Sequence, residues 1–233
     1  MIVIRAGPDG APTQDRPAAR AGRSRRAARR RGRDGTGRRV RLRRPAERPS
    51  LTAVANPLTP QEIRTQAGAT ACAGGVPPSK AFANTQSPTF QTAGTSVLAA
   101  YSATEILPST ALVAKDLAAI ERPRSLQCLL AEVETGLRSS LPVAAKLSGA
   151  RATRMPSVLT GIAGSFAMRF SVTVRVAAGG ASSTVAVYVD DIGFAHGQAE
   201  ISLAIDTTVT APSSSLERRL AAVLVARARA ELG

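Results

Sequence analysis

Tryptophan is absent, and aromatic residues make up only 3% of the 233-residue chain. A core must therefore be built from Val, Leu, Ile and Ala, and few rings are available to stack on nucleobases. One histidine, His196, and two cysteines, Cys72 and Cys128, are too few soft ligands for a zinc site, and no zinc signature occurs. No metal or other cofactor is expected. No apolar run approaches the ~18–20 residues that a spanning helix needs. Met1–Ile4 is too short for the apolar region of a secretory signal, and the arginines that follow forbid one.

Lysine is missing from the first fifty residues, which instead hold sixteen Arg against Asp9, Asp15, Asp34 and Glu47. That piece carries +12 of the formal charge of +15, and residues 51–233, with fifteen basic and twelve acidic groups, carry +3. The runs Arg23–Arg33 and Arg38–Arg44 bury too little apolar surface to offset the entropy of ordering. Residues 1–54 are therefore expected to form a disordered Arg-rich segment, and residues 55–233 a single domain. Residues 16–48 would also serve as a nucleic-acid arm, since clustered guanidinium groups displace phosphate counterions. A third reading is that this stretch is not the native start. Arg with Ala, Gly and Pro but no Lys is what GC-rich DNA yields out of frame.

Within the domain, Thr59-Pro-Gln-Glu62 is a capping box with proline at the first helical position. Leu58 and Ile63 stand at hydrophobic-staple positions. Gly68, Gly74-Gly75 and Pro77-Pro78 predict a short helix and place Cys72 in irregular chain. Val97–Ile106 reads as a buried strand. Ser109 opens a helix with Val113, Leu117 and Ile120 on one face. A second helix from Ser125 carries the stripe Leu126, Leu129, Leu130, Val133, Leu137. A weaker strand is expected over Val143–Met155.

The alternation of Phe166, Met168, Phe170, Val172, Val174 and Val176 with polar residues predicts an antiparallel strand with one buried face. Ala178–Ala181 forms the turn to Val185, Val187 and Val189. Parity then shifts at Asp190-Asp191 to Ile192 and Phe194, which predicts a β-bulge. A turn at Ala195–Gln198 leads to Ile201, Leu203, Ile205 and Val209, and Ser214–Glu217 caps a last helix. The expected fold is α+β: an antiparallel sheet of about five strands, helices packed on it, and a C-terminal helix last.

Two cysteines allow one internal bridge, Cys72–Cys128. Cys128 falls about 200° from the leucine stripe at 100° per residue, so it faces whatever covers the helix. The alternative is two buried free thiols. A bridge would place the domain outside the reducing cytoplasm. No site for chemistry assembles. His196 has no positioned nucleophile. Gly161–Ser165 lacks the glycine a nucleophile elbow requires, and the adjacent Asp190 and Asp191 face opposite ways. Arg169, Ser171, Thr173 and Arg175 form a polar row that would become an anion-binding floor if covered.

Cys72…Phe82-Ala-Asn-Thr-Gln-Ser-Pro-Thr-Phe90, Pro108-Ser…Ala114-Lys-Asp-Leu…Cys128 and Tyr188-Val-Asp-Asp-Ile-Gly-Phe…Gly197-Gln-Ala resemble an actinobacterial group of secreted proteins and lipoproteins of unknown function. The pattern is similar to extracellular sensor domains of mycobacterial receptor Ser/Thr kinases and to small lipoproteins of PsbP-like α+β fold. It spans roughly residues 55–232. The resemblance implies an export signal or lipid-bearing cysteine ahead of the domain, where this chain has its arginines. Those sensor domains carry two disulfides, and this chain can form one.

The expectation is a non-enzymatic, secreted or cell-envelope binding module, sensor-like, whose partner is an envelope ligand or protein. The alternative is a cytoplasmic nucleic-acid-associated protein using its Arg-rich arm.

Overall fold

The computed structural model describes residues 51–55, 57–92, 97–178 and 181–232. The proposed arm over residues 16–48 and the turn glycines 179–180 lie outside these. Thirteen elements follow in order: β1 (Leu51–Val54), α1 (Pro60–Ala73), a 3₁₀ turn (Pro78–Lys80), β2 (Ala83–Gln86), β3 (Thr89–Thr92), β4 (Leu98–Ile106), α2 (Thr110–Ile120), α3 (Pro123–Ser140), β5 (Ala145–Arg154), β6 (Phe166–Ala178), β7 (Ala181–His196), β8 (Ala199–Thr208) and α4 (Ser214–Leu232). The fold is α+β, and the C-terminal helix comes last.

The sheet has eight strands rather than about five, in the order β1-β3-β4-β8-β7-β6-β5, with β2 also paired to β4. All pairings are antiparallel. The three additional strands have four residues each and are largely exposed, so no apolar alternation marks them. Strands β2 and β3 follow one edge of β4, interrupted at Ser87-Pro88. Proline cannot donate to the ladder. Ser87 carries the junction instead: its N–H reaches Ser102 O at 2.9 Å, and its hydroxyl accepts from Ser102 N at 3.0 Å. Strand β1 also moves the start of the domain forward from residue 55 to Leu51.

The registers separate the faces of the sheet. Ala167 and Arg169 share a face with Asp190, Ile192 and Phe194, and with Ile201, Leu203 and Ile205. Helix α4 covers this face through Ala221, Val225 and Ala228. Met168, Phe170, Val172 and Val189 lie on the opposite face under Val133 and Leu137 of α3. Phe170 is fully buried, and such burial contributes about 1.5–3 kcal/mol.

The parity change in β7 therefore needs no bulge, and none occurs: its registers with β6 and β8 run unbroken through Asp190 and Asp191. The strand passes from beneath α3, where its valines face one way, to beneath α4, where Ile192 and Phe194 face the other. The irregularity falls in β5 instead, between Leu147 and Gly149.

Thr59 caps α1 as its box requires, with reciprocal bonds to Glu62. The helix is longer than expected. Gly68 lies inside it, the left-handed Gly74 (φ 79°) ends it, and Cys72 sits in its last turn. Leu58 packs on Tyr101 and Ala204, whereas Ile63 stays exposed, so no staple closes. At α4, Ser213 rather than Ser214 accepts from Leu216 N, and Glu217 is drawn elsewhere.

The cysteines are joined. Cys72 and Cys128 form a disulfide with Cα atoms 5.7 Å apart, linking α1 to α3. Cys128 does face away from the leucine stripe, and its cover is helical. Among the described residues no helix is long and apolar enough to cross a membrane.

Closing a loop of this length stabilises by roughly 4 kcal/mol in the chain-entropy model. Cys72→Ser should therefore cost about 2–5 kcal/mol in urea unfolding of the full chain. A reductant should destabilise the parent but leave the variant unmoved, and equal responses of the two proteins would contradict the linkage.

Candidate functional site

Helix α1 packs chiefly on α3 rather than on the strands beneath it. The space left between α1, α2, α3 and the sheet is a cleft of about 110 Å³. Its floor is the face of β4, β8 and β7 opposite α4. Glu105 pairs directly with Glu200 across β4 and β8, and Asp191 lies on the same face opposite Ala204. Asp116 enters from α2 and Glu132 from α3, while α1 contributes the uncharged Gln66 and Thr70. Five carboxyl groups thus line the cleft, with no lysine, arginine or histidine among its walls. The nearby Arg154 is held outside it by Ile120 O, Arg122 O and Ser125 Oγ.

Three of these acids, Asp191, Glu105 and Glu200, each leave one oxygen unpartnered. Asp191 is 2% exposed, and its Oδ1 has no hydrogen-bond partner. Buried oxygens of Glu105 and Glu200 are also unpartnered, as is Oδ1 of Asp206 farther along the same face. Burial disfavours the charged form, and neighbouring carboxylates add to the cost. Glu105 is pushed up to about 7 by burial and then by Asp116. Glu200 is pushed up to about 9 by burial, by the charge of Asp116 and by a hydrogen bond shared with it. Asp206 is raised to about 8 by burial, then by Asp190 and Asp191. Burial, followed by the charge of Asp190, raises Asp191.

The backbone holds Asp116 in place. Val76 N donates to its Oδ1, and a Cβ on Gly75 would stand 2.5 Å from that oxygen. Phe166 is fixed in a similar way. Its ring lies over Gly193, where a Cβ would come within 2.3 Å of Cζ. Both positions need the bare glycine backbone.

The predicted polar row falls on the other side of the sheet. Arg169 is bound through Nε and Nη2 to both oxygens of the fully buried Asp190, each at 2.6 Å. The same Nη2 reaches Glu217 at 3.0 Å and Pro212 O at 3.1 Å, fastening the start of α4 to the sheet. Glu217 rises to about 6 through burial and its hydrogen bond with Asp190, against the pull of Arg169. Arg175 donates to Ser182 at 2.7 Å, and Ser171 and Thr173 are half-buried between the two arginines. The row is thus split between an engaged ion network and an exposed strand end. Asp190 and Asp191 face opposite ways, as their adjacency requires.

His196 precedes the turn at Gly197 and does not line the cleft. Ser165 bonds with Ser157 at 2.9 Å. Among the described residues no three His, Cys, Asp or Glu side chains gather at metal-ligand spacing. Glu105, Glu200 and Asp206 escaped the sequence reading because a strand's second polar face resembles an ordinary wet one, and Asp116 because it lies off the apolar face of α2. No protein-family profile, curated protein or solved structure matches the chain.

Removing Arg169 would strand the buried Asp190 charge, and breaking such a pair costs about 3–5 kcal/mol. Arg169→Ala should lose that much in urea unfolding, and a loss below about 1 kcal/mol would show the network to be dispensable.

Raised carboxyl pKa values in the folded state contribute stability below the unfolded values near 4, which is lost as pH rises through the folded ones. The melting temperature should therefore fall between about pH 4.5 and about 9, following the values of about 7 for Glu105, 8 for Asp206 and 9 for Glu200. Glu200→Gln and Asp206→Asn should flatten the decline in a pH series of thermal melts. A flat profile in the parent would refute the assignment.

Proposed function

We propose that the chain is a non-enzymatic binding module acting at or outside the cell envelope, with its ligand in the cleft beneath α1. One observation carries this reading: Asp191 is a buried acid with an unpartnered oxygen, set in the wall of a narrow cleft. Small-molecule sites are concave and hold a few placed polar groups. Unsatisfied buried acids cost stability, and a complementary ligand would offset that cost. The disulfide supports an extracytoplasmic setting, as does the resemblance to secreted actinobacterial sensor domains. Among the hydroxyls lining the cleft, the fully buried Ser125 is engaged, donating to Ile120 O and Arg122 O.

One observation favours an enzyme as a second reading: Glu200, with its pKa raised, resembles the acid of a glycan-cleaving pair. An acidic cleft gives the nucleic-acid reading no support, since phosphate would be repelled from it.

A ligand binding only the folded chain at a hundred times its Kd adds about 2.7 kcal/mol. A thermal-shift screen of the full chain with wall glycan fragments, stem peptides and lipids should therefore yield an upward shift that Asp191→Asn abolishes. Turnover of a glycan would favour the enzyme, and no shift with any class would remove the binding module.

A further inference from the structure

Besides Glu132 of α3, the acids in the cleft fall into two groups. At one end Glu105 and Glu200 are cross-strand partners, joined by Asp116 from α2. At the other end stands Asp191. Glu200 and the residue opposite Asp191, Ala204, are four positions apart on β8, roughly 13 Å at about 3.3 Å per residue. The residue midway between them, Ser202, is opposite Gly193, the glycine beneath the Phe166 ring. Ala103, Leu129 and Met168 add apolar surface to the cleft. From end to end the trough offers negative charge, an aromatic and aliphatic middle, and negative charge again.

We infer that the cleft binds a linear aliphatic di- or polyamine, one ammonium at Glu105, Glu200 and Asp116, another at Asp191, with the methylenes passing Phe166. The unpartnered Oδ1 of the nearly sealed Asp191 supplies the acceptor that one ammonium needs. An aromatic face beside a cation adds attraction. A compact metal ion fits less well, because the carboxylates are spread along a trough and no three are grouped as ligands. An anionic or neutral glycan leaves both acidic ends unpaired. The proposal rests on the reading of the cleft as a binding site and names its ligand class.

The test is isothermal titration of the full chain with spermidine, 1,3-diaminopropane and 1,8-octanediol at pH 6 and pH 8. Nonspecific association is disfavoured from the outset, because the protein carries a formal +15 and repels polycations as a whole. Spermidine should bind at least tenfold more tightly than the short diamine, which reaches one end only, and the diol should give no heat. Asp191→Asn and Glu200→Gln should each weaken spermidine about tenfold. Gly193→Ala, which pushes the Phe166 ring toward the trough, should weaken it too. Affinity should rise from pH 6 to pH 8 as Glu105 ionises, and uptake of amine, by drawing the proton from Glu200, should release protons in buffers of different ionisation enthalpy. Asp191→Asn should melt no lower than the parent, which separates lost binding from lost folding.

Equal affinity for spermidine and diaminopropane, or equal binding by parent and variants, would overturn the two-ended trough. Absence of spermidine binding beside a thermal shift with a wall glycan would remove the amine and leave the binding module standing. Absence of both would remove both.

Discussion

Repulsion among carboxylates is the constraint around which this molecule is arranged. Glu105, Glu200 and Asp116 crowd one end of a covered space, and Asp191 and Asp206 crowd the same sheet face farther along. Left to itself, a short amphipathic helix would not settle over such a floor, because burial raises the cost of each charge. Helix α1 is kept there by its attachment to α3. The Cys72–Cys128 bond ties the last turn of α1 to a helix that is itself packed against Met168, Phe170 and Val172. The roof is thus borrowed from a neighbouring dry core rather than won by contact with what lies beneath it.

The adjacent Asp190 and Asp191 show how one strand serves two environments. On the α4 side, Asp190 receives a bidentate guanidinium, and the pair is joined by Glu217 and the Pro212 carbonyl. Charge-assisted forks of this kind are strong and directional. On the cleft side, Asp191 faces no cation among the described residues lining it. Residue type and burial are the same for both, so the difference in fate lies in what the opposite element supplies. Arg169 fixes α4, while Asp191 keeps an unpartnered Oδ1.

Much of the architecture was legible because apolar periodicity was clean. The alternation from Phe166 to Val176, the Val133 and Leu137 stripe and the Thr59 capping box each point to one local structure. The cysteine phase on α3 was equally informative, since Cys128 stands opposite the buried leucines. The short strands β1, β2 and β3 were not legible: Leu-Thr-Ala-Val, Ala-Asn-Thr-Gln and Thr-Phe-Gln-Thr are each too short to show a period. The expected bulge at Asp190 came from assuming one buried face, whereas β7 is covered on both. The same assumption hid the site. Glu200, Ser202, Ala204 and Asp206 alternate with Ile201, Leu203 and Ile205, and this is the pattern of a half-solvated strand. Only the placement of α1 above them turns that polar row into a floor. The row at Arg169, Ser171, Thr173 and Arg175 was legible as a row, but which charges it spends internally depends on Asp190 and Glu217, distant in sequence.

The division of labour across the helical layer explains how such a floor is tolerated. Fully buried aliphatic and aromatic side chains concentrate between α3 and β6–β7, and between α4 and β7–β8. These two cores hold the sheet from opposite sides and do not depend on the region beneath α1. Strain confined to one quadrant of a protein can persist when the surrounding packing over-determines it. Replacing the cleft acids with apolar residues of similar size would relieve desolvation without touching either core. Natural sequences carry such costs where function draws on them. By that logic the unpaired oxygens are better understood as half of an interaction than as defects of packing. Under the binding reading proposed above, the other half would bring positive charge to Glu105, Glu200 and Asp191, whose charged forms burial disfavours.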